Sequence, residues 1–144
     1  TAPAVSPVGL AYQHPFPPET LIVHPLTRLS KDQGTGRTRI EAHFELVDRY
    51  GHTVKALGEV VLELRSSDPG TATSAAGPRQ VARWTKDMRT PDENARPFDR
   101  ITRTYRLTLA DLPASLPPEQ NLTLIVRYTT DDGRVLSAER RFGG

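Results

Sequence analysis

Apolar and polar residues alternate along several stretches of the chain, which is the pattern of β-strands that bury one face. The clearest alternation follows Arg39, where the inward positions would be Ile40, Ala42, Phe44 and Leu46. Other stretches alternate in the same way between turn-forming glycine, proline and aspartate residues. Together they predict seven strands, at roughly 21–26, 37–47, 54–65, 81–88, 100–109, 121–129 and 134–142.

The last two predicted strands form a hairpin whose register follows from the pattern. A two-residue loop would pair Thr129 with Leu136 and so place an outward residue opposite an inward one. A three-residue loop, with Gly133 in the left-handed conformation, pairs Tyr128 with Leu136 and keeps the inward residues together. We therefore predict the three-residue loop.

Single residues within these stretches carry further expectations. Pro25 can lie only at an edge or a strand end, and Gly58 marks a bulge or a close backbone contact. Trp84, the single tryptophan, is expected to anchor the core, and Ile101 is expected to point inward. Thr90 is placed to cap one helical turn that starts at the next residue, a proline.

The composition supports a β fold. The 144 residues include 13 prolines and 10 glycines, which favour short strands joined by turns. We predict an all-β domain over residues 19–144, a two-sheet antiparallel β-sandwich of immunoglobulin-like or transthyretin-like type rather than a closed barrel. The proline-rich residues 1–18 form either a tether or an edge segment that packs through Leu10, Tyr12 and Phe16.

Charge and residue types exclude several classes of function. The net charge is +2, but acidic residues are interspersed with the basic ones, so no basic stripe for nucleic acid forms. The chain has no cysteine, which excludes disulfides, thiolate metal sites and cysteine nucleophiles. The sequence has no G-x-S-x-G elbow, and its four histidines are scattered, at His14, His24, His43 and His52. We predict no enzyme activity, no catalytic residue and no cofactor.

Polar residues on the second and third strands could form a metal site if these strands were neighbours. The candidate ligands are Glu41, His43, Glu45, Glu59 and Glu63. Three cations share that face and would neutralise the carboxylates by cross-strand pairing, namely Arg39, Lys55 and Arg65. We therefore expect a solvated charged face and no metal site.

Arginine recurs in the C-terminal half of the chain, at Arg100, Arg103, Arg106, Arg127, Arg134, Arg140 and Arg141. A basic patch on one sheet could recognise acidic polysaccharide or lipid headgroups. Diagonal pairing with acids, such as Arg127 with Glu139, is the alternative that we favour. Recognition loops would be 66–78 and 90–99, and the candidate exposed aromatics are Tyr12, Tyr50 and Phe98.

Four segments resemble a known family. They are HPLTRL (24–29), LVDRYGHTVKALGEVVLEL (46–64), WTKDMRTPDENARPFDRITRTYRLTL (84–109) and YTTDDGRVL (128–136). In these segments the chain resembles an uncharacterised family of secreted bacterial lipoproteins. The second segment also resembles the D-x-x-G-x-x-V pattern of transthyretin-like and immunoglobulin-like bacterial modules. The lipoprotein resemblance implies attachment to the cell envelope through an N-terminal lipidated cysteine, which this sequence does not contain.

Together these observations favour a non-catalytic module of the cell envelope, used for scaffolding or protein contact. The alternatives are a carbohydrate- or small-ligand-binding sandwich and an accessory domain of a larger enzyme. We expect an extracytoplasmic location, in the periplasm or at the cell surface, with membrane contact only through a lipid anchor. The expected partner is a protein or another envelope component, and not nucleic acid.

Overall fold

Two antiparallel sheets pack against each other in the computed structural model, which describes residues 15–67 and 79–143. In chain order the elements are β1 (Thr20–Val23), β2 (Arg28–Lys31), β3 (Thr38–Val47), β4 (Thr53–Val54), β5 (Gly58–Ser66), β6 (Arg79–Met88), α1 (Pro91–Ala95), β7 (Phe98–Asp99), β8 (Thr104–Leu109), a 3₁₀ turn (Glu119–Asn121), β9 (Leu122–Thr130) and β10 (Val135–Arg141). Within these ranges, no helix is long and apolar enough to cross a membrane.

The first sheet has the order β1–β3–β8–β7, with β2 and β4 also paired to β3, and the second has the order β10–β9–β5–β6. All of these pairings are antiparallel. The two sheets do not close into a barrel. The prediction of an all-β, two-sheet sandwich is therefore confirmed.

The core lies between the sheets and is formed by the inward residues of the alternating strands. From the first sheet, Phe44 and Tyr105 stack with ring centroids 5.2 Å apart. From the second, Leu62, Leu64 and Tyr128 are fully buried in the same apolar cluster. The burial of every second side chain is what the period of two predicted, because successive side chains of a strand point to opposite sides. On β3 the outward Glu41 and His43 are buried as well.

The register of the last hairpin is confirmed. Leu136 pairs with Tyr128, and Thr130 and Arg134 close the loop through the Thr130 N–H to Arg134 C=O bond of 2.8 Å. Gly133 has φ +90°, the conformation that the three-residue loop requires.

The single strand predicted over 54–65 is wrong. The chain leaves the first sheet after β4 and enters the second at β5, so residues 55–57 cross between sheets. Gly58 makes this crossing possible because the backbones approach closely: a Cβ here would lie 2.3 Å from the Thr129 carbonyl oxygen. The close contact predicted at Gly58 is thus confirmed, whereas the register shift between β5 and β6 falls at Leu64 and Arg65, where Val81 of β6 is the extra residue.

The strand predicted over 21–26 ends early, at Val23, and β2 was not predicted. Pro25 lies in the interruption between β1 and β2, which both pair with the same edge of β3. Across this gap the Thr27 hydroxyl donates to the His43 carbonyl and accepts from the His43 N–H, both at 3.0 Å. A side chain thus replaces the backbone bonds that proline cannot make.

The expectation for Ile101 is wrong, that for Trp84 is met only in part because it packs against the core without being fully buried, and that for Thr90 is confirmed. Residues 100–103 form a turn before β8, and Ile101 is 93% exposed. Trp84 is half-buried at the margin of the core, with its indole N–H bonded to the Ala110 carbonyl at 2.9 Å, and Met88 is the fully buried residue of β6. The Thr90 hydroxyl caps α1.

The predictions for the N-terminal segment fall partly outside the described residues. Leu10, Tyr12 and His14 are not described, nor is most of the loop 66–78. Of the residues before β1, Pro18 is buried and its carbonyl oxygen accepts a hydrogen bond from Arg134 at 2.6 Å.

Candidate functional site

The five residues considered as metal ligands do not come together. Because β3 belongs to the first sheet and β5 to the second, Glu41, His43 and Glu45 lie on one outer face, while Glu59 and Glu63 lie on the opposite one. The expectation that they share a face was wrong because the chain changes sheet at residues 55–57. The described residues contain no group of three or more histidine or acidic side chains that could hold a metal.

The outer face of β3 is nevertheless partly buried. Glu41 is 5% exposed and lies 3.4 Å from the guanidinium Nε atoms of both Arg39 and Arg106. His43 is 8% exposed, its Nδ1 is 3.0 Å from the Thr104 hydroxyl, and its ring centroid is 6.5 Å from that of His24. Glu41 and His43 therefore both have partners, and the ion pairs join a buried carboxylate to two arginine side chains that are 42% and 54% exposed.

Burial lowers the pKa of His43, and the positive charges of Arg106 and His24 lower it further, against smaller raising effects of Asp99 and Glu41. The folded state therefore takes up this proton less readily than the unfolded state. The contribution of neutral His43 to the free energy of unfolding is therefore fully present above about pH 6.5, the pKa of histidine in the unfolded state. It is lost as the pH falls through the lower pKa of the folded state.

We therefore expect His43→Gln to flatten the pH dependence of the unfolding free energy between pH 7 and 5. The difference in slope is limited to about 1.4 kcal/mol per pH unit, the value for one proton. Urea titrations at several pH values measure it. The exposed His52→Gln is the control and should keep the wild-type slope; an unchanged slope in His43→Gln would contradict the assignment.

The arginines do not form one patch. Arg106 lies on β8 of the first sheet and pairs with Glu41, whereas Arg127 lies on β9 of the second. Arg127 and Glu139 are diagonal neighbours across β9 and β10 but form no ion pair within the described part of the chain. The single patch is therefore wrong because the arginines are divided between the sheets. Diagonal pairing of an arginine with an acid is found at Arg106 and Glu41 across β8 and β3, whereas the predicted Arg127–Glu139 pair is not formed.

Exposed apolar side chains concentrate at one end of the sandwich. We call it the hairpin end, and it comprises the turns 48–52, 99–103 and 131–133. These turns adjoin because β8 begins opposite the end of β3, and the Asp131 N–H bonds the Leu57 carbonyl just after β4. Of the six large apolar side chains that are exposed in the described residues, Tyr50 (63%) and Ile101 (93%) lie on these turns. Phe16 (50%), which meets Tyr50, and Val135 (58%), the first residue of β10, lie beside them.

The Tyr50 turn is held by one buried carboxylate. Asp48 accepts the N–H groups of Tyr50 at 2.8 Å and His52 at 3.0 Å. The His52 N–H bond is the main reason that the pKa of Asp48 is lowered. Tyr50 meets Phe16 edge-on at 6.2 Å, and the Arg49 guanidinium lies 5.5 Å from its ring centroid. The exposure of Tyr50, expected from the sequence, is confirmed.

The Ile101 turn is held in the same way. Asp99 Oδ1 accepts the Ile101 N–H at 2.8 Å, and the Asp99 carbonyl accepts the Arg103 N–H at 2.7 Å. Arg103 has φ +59°, a left-handed conformation that costs a non-glycine residue about 1 kcal/mol or more. The turn thus combines backbone strain with a fully exposed aliphatic side chain.

A groove opens beside these turns. Its volume is about 430 Å³, and it is lined by Phe16, Asp48, His52, Val54 and Lys55. At its edge the Lys55 ammonium lies 4.9 Å from the Phe98 ring centroid. Phe98 itself is half-buried against Tyr105, at 5.3 Å, so it contributes to the core margin and is not an exposed anchor.

The hairpin end carries both signs of charge, and its cations are concentrated on the Tyr50 and Ile101 turns. Asp48 and Asp99 use their carboxylates within these two turns, whereas Asp131 and Asp132 are exposed on the turn 131–133. The exposed charged side chains around Tyr50 and Ile101 are Arg49, Lys55, Arg100 and Arg103. Apolar side chains with cations beside them are complementary to a partner surface that is apolar and acidic where it meets these two turns.

Asn94, which sequence reasoning missed, supports this end from inside. Its side-chain N–H₂ donates to the carbonyls of Ala56 at 2.7 Å and Met88 at 3.1 Å, and its oxygen accepts the Tyr105 hydroxyl at 2.7 Å. Tyr128 also donates to Ala56. Burial raises the pKa of Tyr105 to about 12 and raises that of Tyr128 as well. A polar residue on a capped helical turn was the available signal, but its partners are 6 to 38 residues away.

No family model matches the chain, and no curated protein and no solved structure is significantly similar to it.

Proposed function

We propose that this chain is a non-catalytic β-sandwich module of the cell envelope that makes protein contacts through its hairpin end. The strand order supports an immunoglobulin-like classification, because β10–β9–β5–β6 faces β1–β3–β8 as in sandwiches of that class. In such sandwiches the loops at one end commonly carry recognition. The extracytoplasmic location and the lipid anchor rest on the sequence resemblance.

The observation that carries the proposal is the Ile101 turn. A β-branched side chain that is 93% exposed gains nothing from folding, and Arg103 beside it is in a strained conformation. Backbone strain of this kind persists where the surrounding structure holds it in place, as the hydrogen bond from Ile101 N–H to Asp99 does here. Strained residues cluster at binding sites. Ile101 is suited to an apolar pocket, with Arg100 and Arg103 beside it suited to carboxylates.

The test is site-specific photo-crosslinking in cells of the source type. With a photoreactive residue at position 50, we expect a discrete crosslinked protein, and Ile101→Ser should abolish it. Ile101→Ser should change the unfolding free energy by no more than about 0.5 kcal/mol, because the side chain packs on nothing.

Two controls accompany this experiment. A photoreactive residue at exposed position 33, in the loop at the opposite end, should give no product. Leu26→Ser, at a side chain that is 44% exposed and distant from the hairpin end, should leave the crosslink intact. The proposal fails if position 50 yields no discrete product, or if the product survives Ile101→Ser.

A further inference from the structure

Strand β6 is the outermost strand of the second sheet. It pairs with β5 on one side, and no strand within the described residues pairs with its other side. At ten residues it is as long as β3, the central strand of the first sheet. The opposite outer strand of the second sheet, β10, is approached by β1, so β6 presents the more open edge.

The hydrogen-bonding phase of β6 follows from two bonds between β5 and β9. The Asp131 N–H donates to the Leu57 carbonyl, and the Ser67 N–H donates to the Asn121 carbonyl. The backbone N–H and C=O groups of the odd residues of β5 therefore point to β9. The backbone N–H and C=O groups of the even residues of β5 therefore point to β6, where they bond the even residues of that strand. The N–H and C=O groups of Arg83, Thr85 and Asp87 consequently point to the open edge.

The charges along this edge are self-complementary. If a second β6 runs antiparallel with Thr85 opposite Thr85, then Arg83 of each copy lies opposite Asp87 of the other. All three side chains are exposed. Asp87 already binds Arg89, at 2.9 Å, but both of these side chains are more than half exposed, so exchanging this pair costs little.

The other face of the strand is also compatible with this register. The Thr85–Thr85 register places Trp84 of each copy opposite Lys86 of the other, and Ala82 opposite Met88. A charged residue at a core-facing position of an edge strand normally opposes strand pairing. Here the ammonium group would lie against a half-buried indole, which is a favourable cation–π contact.

We propose that two copies of this chain associate through β6, antiparallel about a two-fold axis at Thr85. The two four-stranded sheets then become one continuous eight-stranded sheet. Two reciprocal Arg83–Asp87 pairs and the backbone bonds of the odd residues hold the interface. The association is independent of the hairpin end, so Ile101→Ser should leave it unchanged.

Charge reversal tests the register. Arg83→Asp alone gives two Asp–Asp pairs in a homodimer, and Asp87→Arg alone gives two Arg–Arg pairs. Each variant should dimerise at least about tenfold more weakly than wild type in sedimentation equilibrium. An equimolar mixture should recover dimer, because both cross-pairs are then Asp–Arg. Recovery, together with the loss of dimer in each single variant, places positions 83 and 87 of the two copies in contact across the interface.

A backbone variant tests the edge itself. Thr85→Pro removes an outward N–H without taking a bond from β5, and it should give a monomer. Thr85→Val keeps the N–H and the β-branched shape and should still dimerise. Thermal unfolding of each variant confirms that it folds. The proposal is overturned if wild type is monomeric at about millimolar concentration, if Thr85→Pro still dimerises, or if the mixture stays monomeric.

Discussion

Asn94→Ala should lower the free energy of unfolding by about 1 to 3 kcal/mol. The change removes the acceptor of the buried Tyr105 hydroxyl. A buried polar group left without a partner costs about 1 to 3 kcal/mol. The Ala56 carbonyl keeps its bond from Tyr128, and the Met88 carbonyl keeps its strand pairing with Gly58, so these two groups add less. Urea-induced unfolding measures the loss.

A double-mutant cycle separates the lost hydrogen bonds from other effects of the substitution. Tyr105→Phe deletes the hydroxyl that Asn94 accepts, so Asn94→Ala should cost at least about 1 kcal/mol less in that background. Asp92→Ala, at an exposed position of α1, is the matched control and should stay within about 1 kcal/mol of wild type. Full additivity of Asn94→Ala and Tyr105→Phe would contradict the network.

Gly58→Ala should destabilise the domain by about 3 kcal/mol or more, or prevent it from folding. The new Cβ would lie 2.3 Å from the Thr129 carbonyl oxygen and 2.7 Å from the Tyr128 ring. The first of these atoms belongs to the backbone of β9, so relief would require β5 and β9 to separate where the chain crosses between sheets. Overpacking of a rigid contact normally costs 1 to about 3 kcal/mol, and a backbone clash lies at the upper limit.

Gly34→Ala provides the control for Gly58→Ala. The nearest atom to a Cβ at position 34 is the Asp32 carboxylate oxygen at 3.4 Å, an ordinary contact. We expect a change within about 1 kcal/mol in the same urea titration. Soluble expression and a wild-type unfolding midpoint for Gly58→Ala would show that the crossing tolerates a side chain.

The alternating strands were predictable because their pattern is local. Ile40 to Leu46 and Leu122 to Tyr128 place every second side chain in the core, as the period of two required. The hairpin register followed from one further condition, that inward residues must face each other, and Leu136 pairs with Tyr128 accordingly. The cap by Thr90 was predictable for the same reason, since its partner is three residues away.

The features that were not predicted depend on contacts between distant segments. Residues 54–65 alternate like one strand, but the chain changes sheet at residues 55–57, and this change separates Glu41 from Glu59. Ile101 continues an inward pattern, yet the bonds to Asp99 turn it into solvent. Local periodicity shows neither the change of sheet nor the outward turn, because both depend on hydrogen bonds and packing that fix the backbone in the folded domain.

The sequence by itself determined that this protein is a two-sheet β-sandwich, which side chains fill its core, and how its last hairpin pairs. Hydrophobic periodicity and turn chemistry act over a few residues, so they are readable without a structure. Only the tertiary structure decided which strands are neighbours, and therefore that most of the exposed apolar side chains of the described residues lie at the hairpin end and that no described strand pairs with the outer side of β6. Strand order depends on pairings between residues far apart in the chain, and a single sequence does not encode these in any local pattern.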